Sequence, residues 1–152
     1  MFGTKKGQGA TEYLVLLAVV LIVALVAIAL LGFFPGLAGD TRVTQSNTYW
    51  TGNAQPIAIS QHMQSGTTAT LVIQNLASSK VSITALTLGG AGTLVSPTNL
   101  SGGATTTVNV TGLTTCTSGA YYEYDPVVIT YNTNQLTGVK ETGSKPLVGK
   151  CS

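Results

Sequence analysis

The sequence predicts an α+β protein: one long hydrophobic N-terminal α-helix followed by an all-β sandwich. Three observations carry this reading. Leu14 to Phe34 contains no charged or hydrogen-bonding side chain. Pro35-Gly36-Leu37-Ala38-Gly39-Asp40 then breaks the pattern. Beyond it the chain alternates in short apolar and polar stretches punctuated by Gly, Asn, Ser and Pro, as in a sandwich or barrel.

The apolar run is about 21 residues, or roughly 32 Å as a helix, enough to cross a bilayer core. No Gly or Pro lies between Ala10 and Leu31, so the helix over 8–34 is expected to be unbroken. Apolar side chains go all the way round it. That excludes an ordinary amphipathic surface helix and leaves a membrane span or a helix buried by other helices. Ala18, Ala24, Ala27 and Ala29 are small enough to let neighbouring helices approach. Pro35 is placed to stop the helix, and residues 35–42 read as a hinge.

Residues 43–152 read as the β domain, an immunoglobulin-like sandwich. Strands are expected near Val43–Trp50, Gln55–Gln64, Thr67–Leu76, Lys80–Leu88, Thr105–Leu113, Tyr121–Asn132 and Leu136–Leu147. The third and fourth, joined by Ala77-Ser78-Ser79-Lys80, form a hairpin candidate.

Charged residues make up 8% of the chain, against about 25% in average soluble proteins. The formal charge is +2, but Lys5 and Lys6 lie in the first seven residues. The remainder carries five Lys/Arg and five Asp/Glu, a net charge of zero. Such a chain has no basic footprint for nucleic acid, and little net repulsion against self-association. Asn99-Leu100-Ser101 and Asn109-Val110-Thr111 are N-glycosylation acceptor sequences that would help solubility on a surface-exposed domain, or chance triplets in a Thr/Ser/Asn-rich chain. If the chain is exported, Cys116 and Cys151 read as one disulfide; in a reducing compartment they would be two thiols. The closed loop of about 36 residues would add roughly 3–5 kcal/mol.

Little in the β domain carries chemistry. His62 is the single histidine and reads as a surface residue; no metal-ligand spacing, phosphate loop or nucleophile elbow occurs, so neither metal, cofactor nor enzymatic activity is expected. Glu123 and Asp125 lie two apart on an expected strand, hence on one face, more in keeping with a solvated rim than a catalytic pair. Tyr121, Tyr122, Tyr124 and Tyr131 around them fit core packing, a subunit contact or a sugar-binding patch.

The string Lys5-Lys6-Gly7-Gln8-Gly9-Ala10-Thr11-Glu12-Tyr13-Leu14-Val15-Leu16 resembles the class III signal peptide of archaeal type IV pilin-like proteins, a superfamily that includes the archaellins. Gln8, Glu12 and Leu16 match the family pattern, and Ala10 replaces its usual Ser. The resemblance implies a leader, 1–7, cut between Gly7 and Gln8 by a prepilin peptidase. It implies a lollipop-shaped pilin whose N-terminal helices bundle into a filament core with the β domains outside. The partners implied are further copies of the chain, a pilus assembly ATPase with its membrane platform, and the membrane before assembly. The expected location is a cell-surface filament, and the expected role adhesion. Gln8, Glu12 and Leu16 would set assembly and register. Glu12 is costly in an apolar core unless a charge, such as the freed amine of Gln8, meets it. Two alternatives keep the same layout. One is a surface module anchored as a monomer by an uncleaved helix; the other is a secreted β protein cut after Ala38.

Overall fold

The computed structural model describes residues 8–152. The leader 1–7, with Lys5, Lys6 and Gly7, lies outside the described residues. The chain divides into two compact units, Met1–Gly39 and Asp40–Ser152.

Helix α1 spans Gln8–Gly52, 45 residues. It therefore does not end before Pro35, and the strand expected at Val43–Trp50 is helical instead. Proline within a helix costs about 3 kcal/mol. The continuation is stabilised further on, where Val43, Ser46 and Trp50 fall at helical spacing, with Ser46 and Trp50 fully buried. The Thr-rich composition that suggested a strand is accommodated by back-bonding. The hydroxyls of Thr44, Thr48 and Thr51 donate to the carbonyls of Asp40, Thr44 and Asn47, at 3.0, 2.9 and 2.7 Å.

The second unit contains strands β1 (Ile57–Ser65), β2 (Thr68–Asn75), β3 (Val81–Leu88), β4 (Thr93–Leu94), β5 (Thr98–Leu100), β6 (Thr105–Thr111), β7 (Tyr121–Tyr124), β8 (Val127–Asn132), β9 (Val139–Thr142) and β10 (Leu147–Lys150). One four-stranded sheet has the order β1-β2-β6-β4, a second β5-β3-β8-β9, and β10 and β7 form a two-stranded ribbon. Every pairing between these strands is antiparallel. With β5, β7 and β10 set aside, the first sheet holds strands one, two, five and four of the remaining seven. The second holds three, six and seven. That is the ABED/CFG partition of an immunoglobulin constant-type sandwich.

Strict alternation of buried and half-buried positions along β2 supplies Leu71 and Ile73 to the core. Ile83, Leu86 and Ile129 meet them from the second sheet, and Trp50 of α1 joins the same cluster. The Trp50 ring lies on Gly143, where a β-carbon would come within 2.3 Å of it.

Two expected connections are rearranged. β2 and β3 are not a hairpin but lie in different sheets. The reason is Asn75, which is fully buried. Its amide donates to the carbonyls of Ser79, Leu100 and Ser101, at 2.8, 3.2 and 3.2 Å, and accepts from Ala77 N at 3.0 Å. Closing this turn sends the chain across to the other sheet. The hairpin is instead β1–β2, turned by Gly66-Thr67 with Gly66 at a φ of 56°, the Gly-first arrangement of a two-residue turn. The expected strand Tyr121–Asn132 divides into β7 and β8 around Asp125-Pro126. The expected strand Leu136–Leu147 is replaced by β9 and β10, separated by the loop 143–146 that holds the Trp50 ring.

Candidate functional site

In the first unit, Glu12 is the only charged residue from 8 to 39. Large apolar side chains are exposed at consecutive positions, including Tyr13 to Leu17 and Val19 to Val23. At 100° per residue such runs reach every side of the helix axis. An 18-residue window reaches a mean hydropathy of 3.5 with none of it buried. This helix is long and apolar enough to cross a membrane. Glu12 and Leu16 are both exposed and one turn apart, so they share a face. Among the described residues the Glu12 side chain has no hydrogen-bond or ionic partner.

In the second unit, the last turns of α1 are locked to the β strands by polar contacts on successive turns. Asp40 accepts from the Tyr121 hydroxyl at 2.7 Å, and Arg42 pairs with Glu123. Ser46 Oγ donates to Pro146 O and accepts from Val148 N, both at 2.9 Å. The Tyr49 hydroxyl accepts from Ser144 N at 3.0 Å. His62, expected at the surface, instead bridges α1 and β7. Asn47 Oδ1 can only accept, so the proton sits on His62 Nε2, 2.8 Å away; Nδ1 then accepts from the Tyr122 hydroxyl at 2.6 Å. Burial lowers the His62 pKa to about 4 and raises that of Tyr122.

Glu141 on β9 is a further buried polar residue that the sequence pattern did not single out. Its Oε2 accepts from Ile57 N at 3.0 Å, joining the two sheets, while Oε1 is buried with no partner. Burial raises its pKa to about 7, partly opposed by the Ile57 N–H. The alternation along Val139–Thr142 was a usable signal, since it places Glu141 inward.

The expected residues are dispersed. Glu123 and Asp125 are both exposed, and Glu123 is engaged by Arg42 rather than poised opposite a second acid. Tyr131 belongs to the core, whereas Tyr121, Tyr122 and Tyr124 surround a cleft. Cys116 and Cys151 form a disulfide. Asn99 on β5 and Asn109 on β6 are exposed, and Asn109 Oδ1 accepts from Thr70 Oγ1 at 3.0 Å. Among the described residues no group of three His, Cys, Asp or Glu could hold a metal ion.

Comparison with known families finds a match near the N-terminus. Residues 5–31 match the class III signal peptide family, the signal carried by type IV pilin-like proteins. The match begins at Lys5 and runs through Glu12 and most of the apolar stretch, leaving the β unit unmatched. Over residues 5–31 the chain is thus similar to the class III signal peptide of type IV pilin-like proteins. No curated protein matches the chain.

Proposed function

We propose that this protein is a structural subunit of an extracellular type IV pilus-like filament, assembled through its N-terminal helix and used for surface adhesion. The carrying observation is the coincidence of a class III signal with a helix that is apolar and uncovered on every side. In lipid, such a helix satisfies its own backbone and needs no partner. Once the leader is cut between Gly7 and Gln8, the same surface passes from lipid into a bundle of identical helices without meeting water. Glu12 is then the one acidic group in an apolar core, and the new amine at Gln8, on the same or a neighbouring subunit, offsets its charge. Leu16, one turn on, packs beside that pair. A prepilin peptidase, an assembly ATPase and a membrane platform are the partners this route requires. The β unit faces the medium, where sugars on Asn99 and Asn109 would hydrate a surface with almost no charge.

The test is N-terminal sequencing and cryo-electron microscopy of material sheared from cells. A chain starting at Gln8 within a high-mass helical filament is the expected result. A monomer starting at Met1 and confined to the membrane fraction would overturn the proposal in favour of a singly anchored surface module.

A further inference from the structure

The first subunit role leaves unassigned a cleft in the β unit, of about 350 Å³, between the loop after β6 and strand β7. This is at the lower end of the roughly 300–1,000 Å³ of small-molecule sites. One wall carries Thr114, Thr115 and Thr117, whose hydroxyls make no hydrogen bond within the described residues. Tyr121 and Glu123 of β7 also line the cleft. Lys150 covers one face of the Tyr121 ring at 5.7 Å, yet the residue remains 42% exposed. Glu123 spends one carboxylate oxygen on Arg42 and leaves the other available to accept.

The cleft is held rigid from behind. Cys116 is joined to Cys151, and its N–H donates to Gly66 O at 2.9 Å. Gly119 N donates to Cys151 O at 3.0 Å, and Cys151 N to Ala120 O at 2.8 Å. Buried Gln64 donates to Gly66 O and Thr114 O, at 3.0 and 2.7 Å, and accepts from the Tyr124 hydroxyl at 2.6 Å. A site ordered before binding loses less entropy when a ligand arrives.

We infer that this cleft is a binding site for neutral carbohydrate, taking one or two pyranose units. An aromatic face beside a row of free hydroxyls and a carboxylate acceptor matches a sugar ring, which offers C–H bonds on its face and O–H groups on its rim. Among the described residues the lining holds no Lys or Arg, and the two cations that touch it, Arg42 and Lys150, are already engaged with Glu123 and the Tyr121 ring, which disfavours an anion. The walls are too rich in hydroxyls for an apolar ligand. The inference gives the adhesive reading a ligand class, and rests on that reading only for its biological meaning.

The experiment uses the full chain, isotope-labelled and held as monomer in a detergent without a sugar headgroup, so that binding is read apart from filament formation. Cellobiose, mannobiose and chitobiose are titrated while backbone amide shifts are followed. Saturable shifts confined to residues 114–124 are expected for at least one of them. Tyr121→Ala should weaken that binding at least tenfold. Thr115→Trp, which fills the cleft from an exposed loop, should abolish it with the thermal midpoint unchanged, and Thr107→Ala on the outer face of β6 should leave it intact. Presenting the sugar free, or on a second glycosylated copy of the chain, distinguishes a foreign surface from a neighbouring subunit. Absence of saturable shifts with all three sugars, or binding that survives both cleft variants, would overturn the inference whether or not filaments form.

Discussion

His62 and Glu141 are displaced from their ordinary ionisation in opposite senses, and stability should record both. The Glu141 carboxyl is raised from 4.5 to about 7. Its contribution is complete below 4.5 and is lost as pH rises through 7. The His62 ring is lowered from 6.5 to about 4. Its contribution is complete above 6.5 and is lost as pH falls through 4. Between about pH 4.5 and 6.5 the two slopes oppose, each at most about 1.4 kcal/mol per pH unit and less where solvent screens the group. Denaturant titrations of the intact chain should therefore show a near-plateau across that window. Glu141→Gln should expose a stability that rises with pH, and His62→Gln one that falls with it. A wild-type profile as steep as either variant would refute the assignment. Glu141 left a trace in the alternation of its strand, but His62 did not announce itself in the sequence. A lone histidine in a polar stretch carries no signal for a bridge to Asn47 and Tyr122, because both partners are distant in the chain.

At the level of elements, the last turns of α1 and the loop after β9 stabilise one another. Trp50 fills the core and Gly143 leaves it room. Trp50→Ala should cost about 3–5 kcal/mol. Gly143→Ala, which forces a β-carbon into the ring, should cost about 1–3 kcal/mol. Both are read from the midpoint of urea unfolding. The same segment shows where local pattern stops being informative. Val43–Trp50 is rich in Thr, Tyr and Trp, which fits a strand, and Pro35 fits a helix end. Helical continuation is decided by tertiary contacts to Pro146 and Val148 about a hundred residues away. The hairpin misassignment has the same origin, since it hinges on carbonyls that Asn75 meets at Leu100 and Ser101. By contrast β2, β3 and β6 were legible, because β2 and β6 alternate regularly on a sheet with one buried face, and β3 does so on either side of a register shift between Ile83 and Ala85.

For the whole molecule, the two units follow different rules. The apolar helix of the first was readable, because the signal pattern and the uninterrupted apolar run are local properties of consecutive residues, but its continuation through Pro35 was not. The second was readable as a sandwich, with its tyrosines read as core, subunit contact or sugar-binding patch, but the cleft was not, since it joins residues from four separate stretches. If the filament reading holds, Glu12→Ala should reduce filament yield at least tenfold or alter the axial rise seen by cryo-electron microscopy, while the chain still reaches the membrane. Unchanged yield and rise would remove Glu12 from assembly. Replacing Cys116 and Cys151 by serine should lower β-unit stability by about 2–5 kcal/mol without changing membrane insertion, measured by unfolding and fractionation respectively.

The position of the disulfide and of β10 sets an order of events during synthesis. Val148 holds Ser46, Leu147 to Lys150 pairs with β7, and Cys151 closes on Cys116. These residues follow, in the chain, every element they hold, from Ser46 through Cys116 to Tyr124. Domains generally fold as units, so the earlier strands wait for residues 147–151. A chain interrupted before Leu147 would display Ser46, β7 and Cys116 without their partners, and only its extension past Cys151 lets the domain close.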